Sequence, residues 1–133
     1  MMRRQDWPER LFAHIEAARG VPFAFGAHDC CLWAADAVLA MTDADPIEDI
    51  RGQWADEVSA LRLLKERGGV EAMVTEYLGD PIAPAFAQRG DVVLHTMSGR
   101  DSLGVCVGDR FAAVADVGIE YVPMSAALKA WRV

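Results

Sequence analysis

One apolar segment, from Cys30 to Met41, limits most strongly what this chain can fold into. The segment contains neither Gly nor Pro and only one charged residue, Asp36. Its apolar side chains recur at helical spacing, at Trp33, Ala37, Val38 and Met41. A helix that is apolar on nearly all sides has to be covered on nearly all sides. The sequence therefore predicts a central, largely buried helix against which the other elements pack.

The start of this helix has the features of a reactive thiol site. Asp29 can cap the helix by accepting hydrogen bonds from the free N–H groups of the first turn. Cys30 follows in that turn, where the positive end of the helix favours a thiolate over a thiol. Cys31, turned about 100° around the helix, is expected to pack inward. Because free cysteine is among the most buried residue types, a purely structural Cys30 is the alternative interpretation.

The remaining sequence predicts helices first and strands afterwards. Asp6 is the expected N-cap of a helix that ends at Gly20, with Leu11, Phe12, Ile15 and Ala18 on its apolar side. Two more helices are predicted over 57–67 and 70–78, then strands over 92–94, 103–107, 111–115 and 119–122, and a helical turn over 125–131. This order is typical of an α+β domain, and 133 residues suit one domain spanning 1–133.

Two segments between these elements carry further expectations. In the 57–67 helix, Val58, Leu61 and Leu64 are expected to face inward, with Ala60 as a further candidate. Residues 46–56 carry several charges around Trp54 and predict a solvated excursion that this tryptophan anchors. A contact with a partner is the alternative role for that excursion.

Composition excludes several classes of partner and location. The net charge of −7 argues against nucleic-acid binding, which relies on Lys and Arg to neutralise phosphates. No segment approaches the roughly 18 apolar residues of a membrane span, and the polar residues after Arg4 do not form the apolar core of a signal peptide. Three cysteines, two of them adjacent, suggest synthesis in a reducing compartment.

The segment around Cys30 also resembles a known family. Gly26 after an aromatic stretch, followed by Asp29-Cys30 at a helix start, is similar to the nucleophile segment of the NlpC-type cell-wall cysteine peptidases, which are papain-like. Residues 90–93 (Gly-Asp-Val-Val) and 103–108 (Leu-Gly-Val-Cys-Val-Gly) resemble that family's Gly-Asp strand and the strand after it. The resemblance implies a papain-like fold in which the cysteine helix packs on an antiparallel sheet that presents the catalytic histidine.

The chain departs from the family pattern at several positions. The Ser-Gly after the nucleophile is Cys31-Leu32, and the second glycine before it is Ala27. The histidine that opens the family's second strand falls on Ser102, and the polar residue that orients it falls within 111–115. The resemblance thus implies Cys30 as nucleophile, with Gly26, His28 and Asp29 shaping the site and Ser102 in the place of the missing base.

A thiol nucleophile needs a base within about 3 Å, and two histidines could supply it. If a hairpin turns at Gly99-Arg100, Met97 pairs with Ser102, and His95 pairs with Gly104 and shares a face with Ser102. His28, two residues before Cys30, is the second candidate, although its position on the loop suits shaping the mouth of a pocket.

Other roles for the histidines and cysteines are less well supported by the sequence. His14 lies off the apolar side of its helix and is expected at the surface. The spacing of Cys30, Cys31, Cys106 and the histidines matches no zinc pattern, so no metal or cofactor is predicted.

The resemblance implies two alternative functions. One is a structural or binding domain of a phage tail tip or baseplate hub, made in the host cytoplasm and carried in the virion, with other tail-tip or hub proteins and peptidoglycan as partners. The alternative is an active thiol peptidase or amidase that cleaves peptidoglycan stem peptides, with Cys30 as nucleophile and His95 as base.

Overall fold

The computed structural model describes residues 2–133 and has an α+β architecture in which four helices precede an antiparallel sheet of five strands. This confirms the predicted class and the predicted order of helices and strands. The helices are α1 (Trp7–Ala17), α2 (Cys30–Thr42), α3 (Glu57–Arg67) and α4 (Val70–Leu78). The strands are β1 (Val92–Met97), β2 (Arg100–Cys106), β3 (Arg110–Val114), β4 (Ile119–Pro123) and β5 (Lys129–Trp131).

Helix α2 lies at the centre of the molecule, as its apolar sequence predicts. One side packs against α1 and the sheet through Trp33, Ala37 and Met41. Another side packs against residues 47–54, α3 and α4 through Leu32 and Ala35. The helix ends at Asp43, whose left-handed backbone (φ 61°) closes the last turn. The central position of α2 brings its first turn, with Cys30, to the meeting point of these layers.

The sheet has the strand order β4-β3-β2-β1-β5, so β1 to β4 form a meander and β5 returns to pair with β1. Side chains alternate between the two faces of the sheet, as strand geometry requires. The face toward the helices carries Val92, Leu94, Leu103 and Val105. The opposite face carries Val93, Cys106, Phe111 and Ala113.

The predicted helical turn over 125–131 is wrong. The chain forms only a short 3₁₀ turn, Met124–Ala126, and then β5, which pairs antiparallel with β1 through Trp131, Ala130 and Lys129. Trp131 is fully buried in the core between sheet and helices. An edge of β1 left open by the meander provides hydrogen-bond partners that outweigh the weak local preference for a turn.

The predicted register of the β1–β2 hairpin is also wrong. Met97 pairs with Arg100, so Ser98 and Gly99 form the two-residue turn, and His95 pairs with Ser102. Both turn residues have positive φ, 52° and 76°, which is the backbone that matches the twist of a tight hairpin. The sequence prediction placed the turn at Gly99-Arg100, whereas the left-handed backbone of Ser98 moves the turn back by one residue.

The sequence predicted the buried faces of α3 and α1 only in part. On α3, Val58 and Leu61 are exposed, while Ala60 and Leu63 are buried. On α1, Phe12 is exposed although Leu11 and Ile15 are buried. Each of these helices contacts the rest of the molecule through a narrow stripe, which excludes side chains that helical spacing alone would include.

Among the described residues, no helix has both the length and the apolar character that crossing a membrane requires.

Candidate functional site

The site is built around the carboxylate of Asp29, which is buried at the start of α2. Its Oδ1 accepts a hydrogen bond from the backbone N–H of Leu32 at 2.9 Å, the N-cap bond that the sequence predicts. Its Oδ2 accepts two more, from the Gly26 N–H and from the indole Nε1–H of Trp54, both at 2.8 Å. One side chain therefore fixes the helix start, the loop before it and the segment that carries Trp54.

Gly26 lets the loop before α2 approach that segment closely. Its φ of 80° is a left-handed conformation, and a Cβ there would lie 2.6 Å from both the Ala55 Cα and the Trp54 carbonyl oxygen. Only glycine fits such an approach without moving the backbone. Gly26 thus allows residues 54–55 to pack on the loop.

Cys30 lies in the first turn behind Asp29 and is half-buried. Three hydrogen-bond donors lower the pKa of its thiol to about 7: the Cys31 thiol, the Ser102 hydroxyl and the backbone N–H of Leu103. Burial and the negative charge of Asp29 act in the opposite direction. The donors have the larger effect on the pKa, so a large share of Cys30 is thiolate at neutral pH.

The neighbouring thiol behaves in the opposite way. Cys31 donates to Cys30, and this hydrogen bond together with burial raises the pKa of Cys31 well above its usual value. Cys31 is half-buried and not fully inward, because it also faces the open space around Cys30. The pair therefore consists of one thiolate-prone sulfur and one persistent thiol.

Ser102 and Leu103 reach Cys30 because of where β3 ends. Strand β3 pairs with β2 only from Gly104 to Cys106, so the first part of β2 extends beyond it. Ser102 and the backbone N–H of Leu103 belong to this uncovered part of β2, which lies next to the start of α2. Ser102, the position at which the resemblance places a missing histidine, therefore lies beside Cys30.

A groove with a volume of about 700 Å³ passes over the two cysteines. One wall is apolar and comes from α3 and α4, and the facing wall comes from the β1–β2 hairpin and the end of β3. The aromatic rings of Phe23 and Phe25, in edge contact with centroids 4.8 Å apart, line another part of it. The apolar wall is formed by Leu61, Leu63, Leu64, Val70 and Met73, and the hairpin contributes Met97 to Ser102.

His95, the base suggested by the hairpin pattern, does not line this groove. It is directly opposite Ser102 on β1, but its ring packs on Phe111 with centroids 4.7 Å apart. Its Nε2 is buried without a hydrogen-bond partner, and burial lowers the pKa of the imidazole. The shared face with Ser102 is as expected, but the expected approach of His95 to Cys30 is not seen, because its ring packs on Phe111 and lies outside the groove.

The other two histidines also lie outside the groove. His28 exchanges two backbone hydrogen bonds with Ala24, at 2.7 and 3.0 Å, and its Nε2 is buried and unpaired. It holds the loop together and does not shape the mouth of the groove. His14 is half-buried, stacks on Trp33 and donates from Nε2 to the Trp33 carbonyl at 2.9 Å.

Two side chains important to the site were missed by the sequence interpretation. Trp54 was expected only to anchor a loop, yet its indole N–H binds Asp29 and its ring lines the groove. Arg100 was placed at a hairpin tip without a role, yet it lines the groove and pairs with Glu57 on α3 at 2.8 Å. A tryptophan in a charged segment was the one available signal, because a buried indole N–H needs an acceptor.

Across residues 2–133, no group of three or more His, Cys, Asp and Glu side chains is arranged to hold a metal ion.

A family model described as a domain of unknown function (DUF6950) matches residues 2–133. No curated protein matches the chain.

Proposed function

Because the chain belongs to the DUF6950 family, whose function is unknown, we propose a function from its own site: a papain-like NlpC-type domain that binds peptidoglycan stem peptides beside Cys30 without hydrolysing them. The observation that carries this proposal is the group next to the sulfur. Ser102, a hydroxyl and not an imidazole, lies in the groove with Cys30 and lowers the pKa of its thiol. A groove of about 700 Å³ is nevertheless retained around it.

Hydrolysis needs more than a thiolate. Peptide cleavage by a thiol requires a group that returns a proton to the leaving amine and later activates water. A serine hydroxyl does not exchange protons in this way at neutral pH, and none of the three histidines within the described residues lines the groove. General acid–base catalysis contributes about 10²–10⁴-fold in rate, so its loss leaves binding without useful turnover.

The groove has the chemistry of a site for a short acidic peptide. Its apolar wall on α3 and α4 can cover aliphatic parts of a ligand. Within residues 2–133, Arg100 is the single positively charged side chain that lines it. A guanidinium can bind a carboxylate through two hydrogen bonds, and stem peptides carry several free carboxylates.

Arg100 already pairs with Glu57, so a ligand carboxylate has to replace Glu57 in order to bind. Both side chains are about half exposed (57% and 49%), and ion pairs of this kind contribute little to stability. A ligand carboxylate can therefore replace Glu57 at small cost. Asp101 and Asp116, also in the groove, would select against ligands with negative charge at their positions.

The proposal also places the domain in a phage tail tip or baseplate hub, next to other tail-tip or hub proteins. Support for this placement comes from the resemblance of residues 23–36 and 90–108 to NlpC-type segments. A domain of this type is synthesised in the host cytoplasm and reaches the cell wall as part of the virion. Binding without turnover suits attachment at that surface.

A second candidate function, an active thiol peptidase or amidase, is favoured by one observation. The pKa of Cys30 is lowered to about 7, as a nucleophilic cysteine requires. For His95 to act as base, its ring would have to leave Phe111 and turn toward the groove.

Co-sedimentation with purified peptidoglycan, with mass spectrometry of the supernatant, tests both functions. Leu61→Asp places a charge on the apolar wall of the groove, and Val58→Asp is the matched control, since Val58 lies on the same helix, is exposed and does not line the groove. We expect Leu61→Asp to weaken binding by about tenfold or more, equal to about 1.4 kcal/mol, and Val58→Asp and His95→Ala to bind as the wild type does.

The outcomes separate the two functions. Equal binding by Leu61→Asp and Val58→Asp, or no binding by the wild type, contradicts the proposed function. Release of cleaved peptides by the wild type but not by Cys30→Ala establishes the peptidase instead, and loss of that activity in His95→Ala would identify the base.

A further inference from the structure

The two adjacent cysteines form a unit that peptide binding does not explain. Cys30 and Cys31 are both half-buried, and both line the groove. Adjacent Cα atoms are about 3.8 Å apart, and both side chains lie at the wall of the same groove. A ligand that enters the groove therefore meets two sulfurs at once.

We propose that Cys30 and Cys31 together form a chelating site for a soft, thiophilic species that binds two sulfurs, the class represented by trivalent arsenicals. This proposal is independent of the proposed peptide function. It concerns the sulfur pair alone and holds whether or not peptidoglycan is the natural ligand.

The geometry favours chelation over a disulfide between the two residues. Disulfides usually join Cα atoms about 4.4–6.8 Å apart with an S–S bond of about 2.05 Å, and adjacent residues in a helix fall below that range. Such a bond would distort the first turn, where Leu32 donates to Asp29 at 2.9 Å. A bridging atom lengthens the connection between the sulfurs, so the helix start can stay intact.

The coordination number also favours a ligand of this class. A zinc site usually needs four ligands or three plus water, and no group of three or more metal-binding side chains occurs within residues 2–133. Soft species prefer thiolates and are satisfied by few of them. The apolar walls of the groove, with Phe25 and Leu64, can cover an organic substituent on the bound atom.

The chemical step is balanced and needs no oxidant. With phenylarsine oxide as the probe, the Cys30 thiolate attacks arsenic first, and the Cys31 thiol follows. Two As–S bonds form, the As–O bonding is lost, and the oxygen leaves as water with the Cys31 thiol proton and one proton from the solvent. The oxidation state of arsenic does not change.

Competition with a monothiol is the decisive measurement. Reduced wild-type protein is loaded with one equivalent of phenylarsine oxide, challenged with glutathione and examined by intact mass spectrometry. We expect the wild type to retain the arsenical and release it to a small dithiol such as dithiothreitol. The second sulfur makes the last step intramolecular, which is worth about 10²–10⁴-fold, so Cys31→Ser and Cys31→Ala should lose the arsenical to glutathione at correspondingly lower concentrations.

Cys106→Ser is the matched control, because Cys106 is fully buried on the far face of the sheet. It should retain the arsenical as the wild type does. Retention by both Cys31 variants equal to that of the wild type, or loss in Cys106→Ser, overturns the proposal. Circular dichroism confirms that each variant is folded, and using two Cys31 variants separates loss of the sulfur from a packing defect.

Discussion

The reactivity of Cys30 depends on three donors that come from different parts of the chain. The Cys31 thiol is supplied by the same helix, whereas the Ser102 hydroxyl and the Leu103 N–H come from β2. Each donor stabilises the negative charge of the thiolate, and burial alone would have the opposite effect. The ionisation of Cys30 therefore reports directly on the contact between helix and sheet.

Alkylation of Cys30 by iodoacetamide should rise with pH through a midpoint near 7, because the thiolate is the reactive form. Ser102→Ala removes one donor, so the pKa rises and the rate at neutral pH falls. Ser102→His should lower the midpoint, since an imidazolium beside the sulfur favours the thiolate. Peptide mapping by mass spectrometry resolves Cys30 from Cys31, whose raised pKa makes it the slower of the two.

The Cys106→Ser protein is a suitable background for these rates, because its two remaining thiols are those of the site. Identical midpoints in Ser102→Ala and the unmodified Ser102 protein would mean that β2 does not contact the sulfur in solution.

At the scale of elements, the loop before α2 and the segment around Trp54 act as one unit. They share the Asp29 carboxylate and the close approach at Gly26. Neither segment is a regular helix or strand at these positions. Their order therefore comes in part from each other, beside the backbone bonds within the loop, and the groove above Cys30 depends on that contact.

Gly26→Ala and Gly52→Ala form a matched pair that measures the contact. Both glycines have similar positive φ values, 80° and 86°, but a Cβ at Gly52 meets nothing within 4 Å, whereas one at Gly26 lies 2.6 Å from backbone atoms. Left-handed strain of about 1–2 kcal/mol is common to both variants. We expect Gly26→Ala to lower the free energy of unfolding by about 2 kcal/mol more than Gly52→Ala does, since overpacking costs about 1–3 kcal/mol.

Urea unfolding of the two variants gives this difference. A similar loss in both would show that the backbone of residues 54–55 can move away from the loop without cost, and that the two segments do not order each other.

At the scale of the whole molecule, Arg3 connects the first and last parts of the chain. Its guanidinium donates to the carbonyl of Val133 at 2.8 Å and to Asp91 at 3.1 Å. Asp91 is buried just before β1 and also accepts from the N–H of Val133. The guanidinium lies over the Trp7 ring at 4.2 Å as well. One ion pair thus ties α1, β1 and the end of the chain.

Asp91→Ala should be strongly destabilising. The carboxylate has 4% side-chain exposure and Arg3 has 19%, so the variant leaves a poorly solvated guanidinium without its partner. Breaking a buried pair costs about 3–5 kcal/mol. We expect about 2–3 kcal/mol, because Arg3 keeps partial access to water and its other acceptors.

Glu16→Ala is the control for that change, since its pair with Arg19 is exposed on α1 and pairs of this kind contribute about 0–1 kcal/mol. The two variants are compared by urea unfolding at one pH. Equal stability of Asp91→Ala and Glu16→Ala would show that the connection between the chain ends is not important for the fold.

The sequence by itself determined the features that depend on near neighbours. The central helix, its N-cap at Asp29 and the change from helices to strands all follow from periodicity and capping within a few residues. The thiolate character of Cys30 was partly predictable for the same reason, since the first turn of a helix favours it.

The tertiary structure decided the features that join distant residues. The bond from Trp54 to Asp29, the contact of Ser102 with Cys30 and the pairing of β5 with β1 each link positions more than 20 residues apart. His95 shows most clearly what the sequence alone could not determine. Alternation placed it correctly on the face of Ser102, but the packing of its ring on Phe111 and its exclusion from the groove depended on contacts between distant strands.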